Sequence, residues 1–282
     1  MKWNSLSPAL LTLLVFLLAQ GLGTLLLFGI GMLVSPEFSA ATKVVASGGA
    51  QDMPSFELIP VSAFSLVLIA TDIIAVLLCY FLLRYIRLLT QSDIASIQWR
   101  SSILAIAAGI LAAFSTSILT EDVPLPDFMQ QMALAMSQDI WGLLAIAIIG
   151  PIAEELLFRE AIEGEMLRRG ANPWAAIIVS AIAFGAVHLN LAQCLYALPL
   201  GIIFGIIYYK TGNVLLTSLL HIINNGCVAL QLCLLGEDSA DISYADLLGG
   251  DTAAYTIMTL CGVLSIALTW VFWGIYPTNA KQ

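Results

Sequence analysis

Apolar positions along this chain come in long, nearly unbroken runs, not in the alternating or 3.6-residue stripes of a soluble core. Eight runs stand out: about Pro8 to Val34, Pro60 to Ile86, Trp99 to Leu119, Asp139 to Arg169, Pro173 to Leu189, Cys194 to Tyr209, Val214 to Leu235 and Thr252 to Tyr276. Roughly 20 apolar residues suffice for a helix to cross the hydrocarbon core of a bilayer. The pattern predicts an all-α, polytopic membrane helix bundle of about eight transmembrane helices. The short alternating strands of a β-barrel are absent. Gly21, Gly23, Gly29 and Gly31 give the first helix small faces for close packing. The sixth run is short and broken by Pro199 and Gly201. Pro126 to Gln138 mixes Phe128, Met129, Met132 and Leu134 with polar residues and is predicted to be an interfacial helix. The first run is too long for a signal-peptide core and reads as the first membrane helix.

Loop charge orders these helices across the membrane. Lys2, Arg84, Arg87, Arg100, Arg168, Arg169, Lys210 and Lys281 fall on one side. The alternate connections hold Glu37, Asp52 and Glu57 with Lys43, then Glu121, Asp122 and Asp127, then Glu237, Asp238, Asp241, Asp246 and Asp251. Eight helices with both termini cytoplasmic satisfy this arrangement. The expected organisation is a single integral membrane domain. It comprises an N-terminal part over 1–138, a core carrying the chemistry over 139–235, and an acidic, solvated loop with the last helix over 236–282. No internal repeat or linker divides it.

Composition agrees with the pattern. The chain is 60% hydrophobic and 10% charged, against about 25% charged residues in soluble domains. Net charge is −9 and no basic patch exists, which argues against a nucleic-acid partner. Cys79, Cys194, Cys227, Cys233 and Cys261 are odd in number, form no Cys-x-x-Cys, and read as small buried hydrophobes. Membrane lipid is the expected surroundings, and a bacterial inner membrane the expected location.

Against this background Glu154, Glu155 and Arg159 are conspicuous, because charge at membrane depth is costly and marks function. Glu155 and Arg159 are i,i+4 and can pair on one helical face. Glu154 lies about 100° round the helix and is free to face elsewhere. The chain has two histidines, His188 and His221, and both fall in predicted membrane helices. Gly170 to Pro173 reads as a hairpin turn, and Glu154 and His188 each lie 17 residues from Ala171. At about 1.5 Å per residue both are roughly 25 Å from the turn, so they are expected to meet. His221 lies nearer the start of its helix, and its depth matches less well unless the fourth and fifth helices project beyond the bilayer on the cytoplasmic side, as the basic, amphipathic end from Glu163 to Arg169 allows. Phe184 and His188 share one helical face, as do His221 and Asn225.

A carboxylate and a histidine can hold and deprotonate a water. A histidine with an asparagine can donate hydrogen bonds to an oxyanion. That set suits amide hydrolysis. Two histidines with a carboxylate, Glu154, His188 and His221, also make a hydrolytic zinc set with an open position. Asparagine is a poor zinc ligand, and His-Glu-x-x-His and Gly-x-Ser-x-Gly are absent. Asp72 reads as a solitary satisfied carboxylate, and Asn190 and Gln193 as polar caps.

Glu154-Glu155-x-x-x-Arg159, Phe184-x-x-x-His188 and His221-x-x-x-Asn225, in order on successive helices, resemble the CPBP family of CAAX-prenyl-protease-like membrane proteins, also called Abi or type II CAAX endopeptidases. The motifs cover about a third of the chain. The resemblance implies an intramembrane endopeptidase acting on a peptide or a membrane-anchored protein. It implies that Glu154 and His188 activate water and that His221 and Asn225 stabilise the oxyanion. Glu155, Arg159 and Phe184 match supporting positions. The family has been called metalloprotease; a glutamate-dependent reaction without a cofactor is the preferred reading, with zinc as the alternative. Two other readings use the same residues: a non-catalytic immunity or scaffold protein of this fold, and a proton-coupled transporter with Glu154, Glu155 and His188 as a relay.

Overall fold

The computed structural model describes residues 3–47, 58–95, 97–123, 127–212, 214–236 and 242–277. Lys2, Asp52, Glu57, Glu237, Asp238, Asp241 and Lys281, used above to order the loops, lie outside these residues. The described elements are helical: α1 (Trp3–Val34), α2 (Pro36–Ala46), α3 (Val61–Leu78), α4 (Trp99–Thr120), α5 (Asp127–Ser137), α6 (Ile140–Arg168), α7 (Pro173–Ala186), α8 (Leu191–Thr211), α9 (Leu215–Leu235) and α10 (Asp251–Ile275). The fold is an all-α membrane bundle, and within the stretch predicted as an interfacial helix Asp127–Ser137 forms α5.

Seven of these helices are long and apolar enough to span a membrane, and α7 is a shorter apolar helix. The fifth apolar run is thus not one continuous span to Leu189. Asn190 turns extended to N-cap α8, its side chain accepting from the Gln193 amide at 2.9 Å. Leu189 adopts a left-handed backbone to reach it (φ 56°). A 14-residue helix rises about 21 Å, short of the roughly 30 Å hydrocarbon thickness. His188 therefore sits past the end of α7, on the turn into α8, and not within a membrane helix as the sequence suggested.

The bundle is apolar outside and polar within. Leu14, Leu18, Leu22 and Leu25 of α1 and Leu260, Val263, Ile266 and Trp270 of α10 are exposed, whereas Asp72, Glu155, Arg159, Glu160, Glu163 and His221 are buried. Lipid is as apolar as leucine, so helices gain by close contact and polar bonds instead of by hiding leucines. The C-terminal half of α6 is the centre of this arrangement: Leu157 to Gly164 are all buried. Leu157, Phe158, Ala161, Ile162 and Met166 pack with residues of α1, α3, α7 and α8.

The far end of α6 is tied by charge. Glu160 accepts from Arg168 (2.8 Å), Arg87 (3.3 Å) and the Tyr208 hydroxyl (2.7 Å), joining α6 to α8 and to the segment after α3. The α6–α7 turn is built as its sequence predicts. Gly170 is left-handed (φ 76°), its N–H bonds Leu167 O, and Ala171 N–H reaches back to Met166 O. This double bond closes the helix end. Asn172 then caps α7 ahead of Pro173.

Small residues set two close approaches. A Cβ on Gly23 would lie 2.5 Å from Thr71 Cγ2, where α1 meets α3, while Gly21 and Gly29 face open space. A Cβ on Gly201 would lie 3.1 Å from the Ala181 Cα and 3.3 Å from the Phe184 ring, where α8 meets α7. Gly201→Ala is expected to destabilise the fold by about 1–3 kcal/mol, and Gly21→Ala by under about 0.5 kcal/mol. Thermal unfolding of the two variants in detergent checks this; equal midpoints would remove the close approach as a constraint.

Candidate active site

The site is assembled where α6 departs from regular geometry. Pro151 has no N–H to give. Ahead of it, Ala145–Ile149 forms a π-helical turn in which Gly150 N–H bonds Ala145 O. The Ile146 carbonyl is left without a helical donor, since Gly150 bonds elsewhere and Pro151 cannot donate. Asn225 of α9 supplies one, its Nδ2 lying 3.1 Å from Ile146 O. Gly150 is required here, because a Cβ would lie 2.7 Å from Ala145 O. A second π-helical run, Leu156–Gly164, follows the two glutamates. Such widened turns recur at functional sites.

The two glutamates then part. Glu155 is sealed, with no exposed side-chain surface, while the Glu154 side chain keeps 24%. One Glu155 oxygen accepts from Arg159 Nε at 3.0 Å and the other lies 3.2 Å from His221 Nδ1. A carboxylate paired with arginine can only accept, so His221 Nδ1 carries a proton. Its Nε2 lies 3.5 Å from Glu154 Oε2. His221 thus bridges the two glutamates.

Arg159 is fully buried. Besides Glu155 it donates to Ser180 Oγ at 2.7 Å and lies over the rings of Phe184 (5.2 Å) and Phe204 (5.9 Å). The Ser180 hydroxyl in turn donates to Phe158 O at 2.7 Å. The Arg159 Nη2 and both Glu163 oxygens are buried without a hydrogen bond, and the charges of Arg159, Glu155 and Glu160 act on Glu163.

The Phe184 ring joins the parts. It meets Phe158 at 5.4 Å, His188 at 5.4 Å and His221 at 5.5 Å, all edge to face. His188 Nδ1 lies 2.9 Å from Phe184 O. A carbonyl only accepts, so Nδ1 holds the proton and Nε2 offers its lone pair.

The sequence-derived residues therefore converge, with one rearrangement. Glu155 pairs with Arg159 as expected. Glu154, expected to meet His188, has its recorded contact with His221, and His188 reaches the cluster through Phe184. His221, whose depth matched less well by helical counting, meets both glutamates. Residues one turn back on the motif faces escaped notice. Ser180 precedes Phe184 by four residues, and Thr217, whose hydroxyl acts on Glu155, precedes His221 by four. That i−4 spacing was legible. Asp72 is buried, accepts from Gln20 at 2.9 Å, lies 3.9 Å from the Cβ position of Gly150, and feels the charge of Glu154. It is satisfied, but it is not remote from the site.

Among the described residues, no group of three or more His, Cys, Asp or Glu side chains is placed to hold a metal ion. Glu154, His188 and His221 are thus not gathered as a ligand set.

Residues 136–227 match the family model described as Type II CAAX prenyl endopeptidase Rce1-like, a stretch that includes every motif residue above. The "Putative membrane peptidase YdiL" of Bacillus subtilis (strain 168) is 30% identical over 89 residues, 32% of this chain and 36% of that protein. The "Membrane-embedded CAAX protease MroQ" of Staphylococcus aureus (strain USA300) is 31% identical over 90 residues, 30% of this chain and 36% of that protein. The chain thus spans little more than a third of the length of these relatives. No solved structure matches it. With seven apolar spanning helices and bacterial membrane relatives, the chain is an integral bacterial membrane protein.

Removing Arg159 strands Glu155 as a buried charge. Arg159→Met is expected to cost about 3–5 kcal/mol, and adding Glu155→Gln to recover at least about 1 kcal/mol of it. A double-mutant cycle on unfolding in detergent checks this; strict additivity would show that the pair is not coupled.

Proposed function

We propose, from the CPBP-family membership that residues 136–227 and the two relatives support, that this chain is an intramembrane endopeptidase. The observation that carries the reading is the division between the two glutamates. Glu155 is sealed and neutralised by Arg159, whereas Glu154 keeps an open carboxylate 3.5 Å from His221 Nε2. Glu154 is the group that can meet water.

In this reading a water held by Glu154 and His188 Nε2 attacks the carbonyl carbon of a peptide bond, and its proton passes to Glu154. The negative charge gathers on the former carbonyl oxygen, where Asn225 donates a hydrogen bond and His221 donates another through Nε2 when both of its ring nitrogens carry protons. The C–N bond then breaks as Glu154 returns the proton to the leaving amine. Glu155 and Arg159 hold the helix, and Glu155 orients the His221 ring through Nδ1. Chemistry in this dry, preorganised setting strengthens each electrostatic contact. The substrate is a peptide, or the tail of a membrane-anchored protein. Zinc is the alternative, and it would require Glu154, His188 and His221 to be drawn together as ligands.

The test uses full-length protein in detergent with an internally quenched peptide bearing an S-farnesyl-cysteine CAAX end, and an unprenylated copy beside it. Glu154→Ala, His188→Ala and His221→Ala are each expected to lower kcat by at least about 100-fold. Full cleavage by all three would refute the hydrolase and leave the scaffold or transporter. Exhaustive chelation is expected to leave wild-type turnover unchanged; loss restored by added zinc would replace the glutamate reaction with a zinc one.

A further inference from the structure

Beyond the motif residues, one chain of hydrogen bonds runs through the wall of the site in a single direction. The Tyr196 hydroxyl of α8 donates to Asn224 Oδ1 at 2.6 Å. Asn224 Nδ2 donates to Asn225 Oδ1 at 3.0 Å. Asn225 Nδ2 donates to Ile146 O at 3.1 Å. We propose that Tyr196 and Asn224 are positioning residues that lock the Asn225 amide with its N–H face toward α6. This rests on the reading of Asn225 as an oxyanion donor.

The direction of the chain is forced at its Ile146 end. A carbonyl only accepts, so Ile146 O demands the Asn225 nitrogen. A flipped Asn225 would set its oxygen against Ile146 O and its nitrogen against Asn224 Nδ2, two repulsive contacts in place of two bonds. Asn225 Oδ1 in turn demands the Asn224 nitrogen, and Asn224 Oδ1 is left to accept from the Tyr196 hydroxyl, which holds that amide at its far end. An asparagine amide has two near-isosteric orientations, and its network chooses between them. Without Tyr196 and Asn224, only the Ile146 bond would hold the amide, and its plane could rotate about that bond.

Asn225 Nδ2 has a second hydrogen that Ile146 does not use, and this is the one an oxyanion would take. Locking the amide keeps that hydrogen in one direction before the reaction, which is the condition for a donor to stabilise developing charge. Tyr196 and Asn224 also line a cavity of about 220 Å³ between α4, α8 and α9, with Ile110, Ala113, Phe114 and Leu220 in its walls. Ser117 also lines this cavity and gives the Tyr196 hydroxyl a second hydrogen-bonding partner beside Asn224. No motif reveals Tyr196, because it stands 28 residues from its partner on another helix.

The experiment uses full-length protein in detergent with asparagine selectively labelled with ¹⁵N. The Asn225 side-chain amide pair is assigned by its disappearance in Asn225→Asp. Tyr196→Phe and Asn224→Leu are expected to shift or broaden that pair. With the quenched peptides, kcat should fall about 5-fold for Tyr196→Phe and about 30-fold for Asn224→Leu at unchanged KM, against at least about 100-fold for Asn225→Ala. Wild-type amide signals in both variants would overturn the proposal, as would a raised KM at unchanged kcat. If the amide shifts while Asn225→Ala cleaves normally, the oxyanion role of Asn225 fails and the positioning stands. If wild type cleaves neither peptide, the amide signals decide alone.

Discussion

A guanidinium with no exposed surface, that of Arg159, is the constraint on which this bundle turns. An unpaired ion in such an interior costs several kcal/mol even after relaxation. Its surroundings are accordingly shaped around it: Glu155 along its own helix, Ser180 from α7, and the faces of Phe184 and Phe204. Each partner is tied onward. Glu155 holds His221, Ser180 holds Phe158 O, and Phe184 meets both histidines. Four helices are thereby fixed by one charge. The same network takes Glu155 out of chemistry, since both its oxygens are occupied, and leaves Glu154 as the open carboxylate.

Backbone irregularity does equivalent work on the other side of the site. Pro151 and the π-helical turn before it orphan the Ile146 carbonyl. At this depth an unpaired carbonyl needs a donor from protein, because lipid has none. Asn225 answers, so a defect in α6 becomes a bond to α9. Charge and backbone thus clamp the same two helices one above the other, at His221 and at Asn225. Termination of α7 at Ala186 contributes a third element, because it brings His188 onto a turn beside the cluster.

Much of this was legible from the pattern of residues. Eight apolar runs located the long helices, though not α2, and Gly170 to Pro173 marked the α6–α7 turn. The i,i+4 rule paired Glu155 with Arg159 because both reside on one helix, where spacing and geometry are the same thing. The end of α7 was misjudged, because an unbroken apolar run reads as one helix and here a left-handed Leu189 and the Asn190 cap of α8 interrupt it. Ser180 and Thr217 were within reach of the same i,i+4 rule.

The sequence by itself determined the class of fold, the membrane setting and the identity of the groups that converge, because hydrophobic length and the cost of buried charge act on each segment separately. Only the tertiary structure decided which glutamate faces which histidine, that Asp72 lies beside the Gly150 turn, and that Tyr196 and Asn224 stand behind Asn225. Those outcomes depend on how helices rotate and tilt against one another. That is set by side chains from several segments at once, and no local spacing encodes it.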